Sequence, residues 1–340
     1  MNKSDGAETD AETLCPKSPT TSWFSPDGDI KLILSNGQEV FVVASQPLCL
    51  ISPYWRKMIG PGSCFKEAKE KEIVLPEEDT RGLTVFLNIV HLQFHNVPNE
   101  LDFETLLSLS ILTDKYLATI SVRPWIQKWL ANLYPPESGD YEEWLWIAWE
   151  YGDGAIFNNV ANSLALNIKM NDSGKLEAPS GRVFDPLTEY DFPMPPDIIE
   201  SIIEVREMHL HALLNVVDEY LHKYNHTICC LDTSESRAEC DALTCGSLTL
   251  PLHRLGLWRD RRGPLSTKAT LKDIHKTLAR VKVLRSPRHW QFHEFEKTII
   301  KQPGCDFQDE FRERIRNIRL SVIPKQKHRD HLKRKSDQLS

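Results

Sequence analysis

The chain has 340 residues, 41% of them apolar, which is enough for two or three domains with buried cores. No run of about eighteen apolar residues occurs, so no transmembrane helix is expected. Net charge is −7 but unevenly placed: residues 1–253 carry 18 Lys and Arg against 38 Asp and Glu, and residues 254–340 carry 23 against 10.

The start, Met1 to Asp10, lacks a basic region and an apolar core, so a secretory signal is not expected. An intracellular setting is expected in turn, nucleus or cytoplasm, where the eight cysteines stay reduced. The basic end is read as a solvated face that pairs with the acidic remainder. A nucleic-acid surface is the alternative.

Residues 1–25 are polar and are expected to be a disordered segment, with Trp23-Phe24 tucked onto the domain after it. That domain is placed at 26–134. Ile30, Leu32 and Leu34 alternate with Lys31 and Ile33, close to the period of a half-buried strand. Ser35-Asn36-Gly37 suits a tight hairpin turn, and Val40 to Val43 form the returning strand. Ser52-Pro53 reads as a helix start. Ala68 to Glu72 is a charged connector before a short strand, Ile73 to Pro76. Acidic Glu77-Glu78-Asp79 opens a helix whose apolar side holds Leu83, Phe86, Leu87, Val90 and Phe94. After a break at Val97-Pro98-Asn99, Leu101 to Tyr116 is apolar nearly all round, as in a buried central helix. Val122, Ile126, Trp129, Leu130 and Leu133 mark a last helix, ended by Pro135-Pro136.

A helical extension is expected over 141–226. Two helices fill 141–169, broken at Gly152-Asp153-Gly154, and a loop comes next at 171–196. One long helix then starts near Pro195-Pro196-Asp197. Its stripe is Ile198, Ile202, Val205 or Arg206, His209, Leu213, Val217, Tyr220 and Tyr224. Residues 227–323 form a C-terminal helical region with faces at Leu271, Ile274, Leu278 and Val281, and at Phe311, Ile315 and Ile318. Residues 324–340 are read as a basic disordered tail. Its clusters, Lys325 to Arg329 and Lys333 to Lys335, are a candidate nuclear-import signal beside the plainer reading of solvated charge.

The order of parts from Asp29 to Tyr134 resembles the BTB/POZ domain, in the divergent form common in fungal proteins. The residues that carry the likeness are Asp29, the hairpin, Phe41, Pro47-Leu48, Ser52 with Tyr54-Trp55, the strand at Ile73, and Asp114-Lys115-Tyr116. Cys240 to Leu248 is similar to a segment of the same fungal proteins, and the helices at 141–169 to the extension that comes after many BTB domains. The resemblance implies an α+β fold: a short sheet with a helical cluster, followed by a mostly α-helical C-terminal region. It implies protein–protein interaction with no chemistry of its own, homodimerisation being typical of the family. Ala44 stands where the family usually has a histidine, so a charged corepressor pocket around Asp29 is not expected, although Asp29 remains.

In BTB adaptors of cullin ubiquitin ligases a hydrophobic-x-Glu motif contacts the cullin scaffold. Phe65 and Glu67 match it, and the plainer reading is a self-packed Phe65 beside ordinary solvated charge. Partner-binding candidates are therefore Phe65, Glu67 and Asp29. Cys229, Cys240, Cys245 and His226, with Cys230 and His222 nearby, have zinc-ligand chemistry. No Cys-x2-Cys pair occurs, so buried free thiols are the expected state, with no metal or cofactor. Trp125, Trp129, Trp144, Trp146 and Trp149 read as an aromatic packing seam. No nucleotide, phosphate-loop, serine-hydrolase or metalloprotease motif is present, and no catalytic residue is expected. The reading is an interaction module, possible homodimer and cullin substrate adaptor. The alternative is a nuclear regulator whose basic C-terminal half contacts nucleic acid.

Overall fold

The computed structural model describes residues 19–34, 37–133, 142–184, 190, 192–226, 236–258, 267–284, 290–293, 298–301, 307–319 and 325–340. The chain is α+β and mostly helical. It divides into two compact units after Leu133.

The first unit holds a four-stranded sheet of β1 (Thr20–Trp23), β2 (Ile30–Leu34), β3 (Glu39–Val43) and β4 (Glu72–Leu75), in the order β1-β3-β2-β4. β2 and β3 are antiparallel, with Leu32 opposite Phe41. β1 runs parallel to β3, and β4 parallel to β2. Ile30, Leu32 and Leu34 are buried while Lys31 turns outward, where it pairs with Glu72 at 3.1 Å. Gly37 leaves the turn with φ +88, a conformation glycine adopts without strain. Ser35 and Asn36 lie outside the described residues.

β1 corrects the expected disordered segment over residues 19–25, and residues 1–18 lie outside the described residues. Its side chains are largely exposed, so composition carried no signal. The backbone makes the strand instead: Phe24 donates its N–H to the Val42 carbonyl at 2.9 Å, and its ring packs on Phe41 at 5.1 Å.

The described residues of this unit also form the helices α1 (Ser45–Ile51), α2 (Pro53–Ile59), α3 (Lys66–Glu70), α4 (Thr80–Val90), α5 (Phe103–Lys115) and α6 (Arg123–Leu133). Pro53 occupies the first turn of α2, and the Ser52 hydroxyl accepts from the Trp55 N–H at 3.1 Å. Asp79 and Asp102 cap α4 and α5 in the same way, accepting from Arg81 and Thr105. The two helices cross at Gly82, where a Cβ would meet the Leu109 nitrogen at 2.7 Å. The charged stretch after Phe65 is helix α3 and not a connector. Phe94 is not on α4. That helix ends at Val90, Leu92 turns the chain with φ +60, and Phe94 begins a separate 3-10 turn, Phe94–Asn96.

The second unit begins with α7 (Trp144–Tyr151) and α8 (Gly154–Asn167), broken at Gly152 with φ +71. The expected loop at 171–196 contains part of a small sheet: β5 (Lys169–Met170), β6 (Leu176–Glu177) and β7 (Val183–Phe184). Helix α9 (Ile198–His226) is the long helix, and it buries Ile198, Ile202, Val205, Arg206, His209, Leu213, Val217, Tyr220 and Tyr224. Then come α10 (Ser236–Arg254), α11 (Leu271–Leu278), a hairpin of β8 (Trp290–His293) and β9 (Thr298–Lys301), α12 (Gln308–Asn317) and α13 (Gln326–Leu339). Leu213, Tyr220, Leu248, Ile274, Phe311 and Ile315 belong to its core.

Helix α13 corrects the expected disordered tail. His328, Leu332 and Leu339 are buried. His331 stacks on Trp149 with ring centroids 3.6 Å apart, and Lys335 reaches Glu150 at 2.5 Å. The ring of His328 also meets Trp149 at 5.8 Å and Phe157 of α8 at 6.0 Å.

Candidate functional site

Phe65 and Glu67, two of the candidate residues of the first unit, lie at the start of α3. Phe65 is the N-cap of this helix and is 48% exposed. The loop before it is held from below. The Ser63 hydroxyl donates to the Met58 carbonyl at 2.7 Å and accepts from the Phe65 N–H at 3.3 Å. Glu67 sits in the first turn of α3, where a carboxylate favours the positive end of the helix dipole. The ring is therefore presented on a braced loop, with the carboxylate beside it.

Asp29 has a different place and role. Its carboxylate accepts from the Ser45 N–H at 2.7 Å and the Ser45 hydroxyl at 2.8 Å, which ties the start of β2 to the start of α1. Burial alone would raise its pKa, but the two Ser45 bonds bring it below the ordinary carboxylate value, and Lys71 adds to the lowering. Lys71 closes α3, so Asp29 faces the far end of the helix that Phe65 opens, about 7.5 Å of helix away. Ser45 engages both Asp29 oxygens, so the residue serves as a structural tie.

Asp114, Lys115 and Tyr116 end α5. The Tyr116 hydroxyl donates to Glu78 at 2.8 Å, and Lys115 meets the same carboxylate at 2.5 Å. The Tyr116 ring stacks on buried Trp55 at 4.7 Å, and its carbonyl accepts from the Ser52 hydroxyl. This clamp joins α5 to the start of α2.

Sequence reasoning missed an apolar groove in the first unit. It encloses about 780 Å³ and is lined by Phe24, Leu50, Leu92, Phe94, Ile120 and Trp125, among others. Leu50 is 70% exposed and Leu92 73%. His91 lies in its floor. The ring donates from Nδ1 to the Leu87 carbonyl at 2.9 Å and accepts at Nε2 from the Ala44 N–H at 3.0 Å, which fixes a neutral tautomer. Burial pushes its pKa below the ordinary histidine value. Leu50 comes after Cys49 on α1, on the side away from buried Leu48, and this phase was the available signal.

Among the described residues the zinc candidates do not form a ligand set. Cys229 and Cys230 lie outside the described residues, as does the side chain of His226. Cys240 and Cys245 are both on α10, five residues and about 140° of helical turn apart. Cys245 donates to Asn225 at 3.5 Å, and among the described residues no three metal-ligating side chains come together. The tryptophans serve each unit by itself: Trp125 stacks on Trp129 at 6.2 Å in the first, and Trp149 on His331 in the second.

Many basic side chains of the C-terminal part meet carboxylates of the second unit. Lys268 reaches Asp172 and Arg314 reaches Glu219, both at 2.5 Å. Lys325 pairs with Glu204 at 3.5 Å, and Lys327 pairs with Asp197. Arg206 differs. It is fully buried, and its Nη2 donates to the Ala269 carbonyl at 3.1 Å while Nε and Nη1 find no acceptor. Burial lowers its pKa to about 10.

Among the described residues no helix is long and apolar enough to cross a membrane. No family model, no curated protein and no solved structure matches the chain.

Proposed function

We propose that the first unit is a protein-interaction module of BTB type, and that Phe65 and Glu67 seat the chain on a cullin scaffold as a substrate adaptor of a ubiquitin ligase. The observation that carries the reading is the presentation of Phe65. A phenylalanine 48% exposed at a helix N-cap, braced by Ser63 and followed by Glu67, suits a desolvating anchor with a charged rim. Three features support the module type. The β2–β3 hairpin is followed by three short helices and a parallel β4. The Asp114-Lys115-Tyr116 end of α5 clamps α2. Finally, the imidazole of His91 reaches the backbone of Ala44, where the family pattern has a histidine. The module works without chemistry of its own, and the second unit holds the client.

The nucleic-acid alternative is weakened by the ion pairs of Lys268, Arg314, Lys325, Lys327 and Lys335, because a phosphate backbone would have to displace them.

The test is capture of a purified cullin N-terminal domain by the full chain, with Phe65→Ala/Glu67→Ala alongside. The expected result is a loss of about 2–4 kcal/mol in the double variant, as hot-spot truncations give. Equal capture by both proteins, or by neither, overturns the adaptor reading. Light scattering on the same samples reports whether the chain is a dimer.

A further inference from the structure

The second unit carries an open groove between α10 and the stretch that leaves α11. It encloses about 1020 Å³, and its apolar walls include Leu243, Leu250, Val281 and Leu284. Leu250 and Leu284 are each 50% exposed. The groove is preformed. The Ser247 hydroxyl donates to the Leu243 carbonyl at 2.7 Å and accepts from the Leu284 N–H at 2.8 Å, which locks one wall to the other.

The α10 side of the groove is low. Ala242, Gly246 and Thr249 line it at helical spacing. A glycine weakens a helix interior, so a packed neighbour is the usual reason to find one. Gly246 has none: a Cβ there would meet nothing within 4 Å. The space above it admits the backbone of something else. The rim is basic. Arg254, Arg280 and Lys282 are exposed around the groove, and Glu239 is its one acidic lining residue. Among the described residues none of these three cations has a carboxylate partner.

The same unit shows how such a seat is filled. Helix α13 lies over Gly152, where a Cβ would meet the Leu332 carbonyl at 2.8 Å, and its Lys335 pairs with Glu150 beneath. There a basic helix covers a glycine beside an acidic residue. At Gly246 the glycine is present and the charge is reversed.

We propose that this groove docks an amphipathic helix with acidic flanks from a partner protein. Its apolar seam would lie along Leu243, Gly246 and Leu250, and its carboxylates over Arg254, Arg280 and Lys282. The inference rests on the chain being an interaction protein with its client on the second unit. It does not rest on attachment to a cullin.

The test uses the full chain and two designed peptides of about 16 residues, long enough to hold a helix on a surface. Both carry the same leucine seam; one has glutamates on its flanks, the other lysines. Fluorescence anisotropy should show the glutamate peptide binding at least about tenfold tighter than its lysine twin, a difference set by the rim charges. Gly246→Leu should block it with helical content unchanged, since open space takes the new side chain. Arg280→Glu/Lys282→Glu should weaken it independently of the groove floor. Equal binding of the two peptides, undiminished binding to Gly246→Leu, or binding of neither overturns the proposal. Saturable binding of oleate with no peptide binding also overturns it, by giving the groove to a lipid. Cullin capture is read separately through Phe65 and Glu67, so each reading can fail without the other.

Discussion

The α7 face and the α10 groove of the second unit each set a glycine beside charged side chains, and one is covered while the other is open. On α7, Trp149 stacks under His331 at an interplanar angle of 4°, His331 donates to the Trp149 carbonyl at 3.2 Å, and His328 donates to the Pro196 carbonyl at 2.7 Å. Fully buried Glu150 receives Lys335. On α10 the walls are leucines, and the charges at the rim face outward. A helix of modest apolar content therefore docks firmly when backbone can approach backbone at a glycine. One buried ion pair and the Nε2 bonds of His328 and His331 then set its register. Hydrophobicity alone does not separate the covered face from the open one.

The comparison breaks most sharply at Gly152. Its φ of +71 is left-handed, and a Cβ would press into the backbone of α13 at Leu332 and Lys335. Left-handed backbone costs a non-glycine residue about 1–2 kcal/mol, and overpacking about 1–3 kcal/mol more. Gly152→Ala should therefore destabilise the second unit by about 3 kcal/mol in urea. Hydrogen–deuterium exchange should show 326–339 losing protection first. Unchanged protection there would mean that α13 tolerates a shift and that the glycine is not what seats it.

Acid should loosen the same helix more gently. Burial pushes the His328 pKa below the ordinary histidine value. The Pro196 carbonyl pulls it up, and Lys327 and Lys325 push it down again. Nδ1 is buried without an acceptor, so protonation would place a second N–H where nothing receives it. The folded pKa lies below the unfolded one, so the folded state binds fewer protons. Its stabilisation is complete above the unfolded value of about 6.5 and is lost as pH falls through the folded value. His209 acts in the same direction, since burial and then His275 take it down to about 4. Exchange protection of 326–339 should fall as pH drops below about 6.5. His328→Gln should flatten that dependence while leaving the His209 part. A steepened dependence in the variant would refute the assignment.

The contrast between covered and open also governs what the sequence could disclose. The period-two run Ile30, Leu32, Leu34 and the helical stripe from Ile198 to Tyr224 were legible because each buries one face over several repeats. Arg206 and His209 were legible as positions on that stripe, but not as a buried cation and a neutral ring. β1 was hidden because backbone pairing, not side-chain pattern, makes it a strand. The strands β5, β6 and β7 have two residues each, too few to show any period. α13 was hidden because leucine recurs only at 332 and 339, and histidines supply the rest of its contact face. Phe65 and Glu67 could be singled out by motif, yet the exposure of Phe65 could not, nor could that of Leu50 and Leu92. Whether an apolar residue lies outward depends on what the rest of the chain leaves uncovered, which local pattern does not encode.

The smallest predicted effect separates the two glycines by sign. Gly246 lies inside α10, and a Cβ there meets nothing within 4 Å. Alanine would remove the entropy cost of glycine in a helix, worth about 0.5–1 kcal/mol. Gly246→Ala should therefore raise the urea midpoint of the second unit, whereas Gly152→Ala lowers it. A methyl group is smaller than the leucine side chain, so Gly246→Ala should weaken the glutamate peptide less than Gly246→Leu does. If alanine destabilised α10, some part of the chain would have to lie over Gly246 already. The groove would then be a second covered seat, and the comparison would reduce to two helices docked in the same manner.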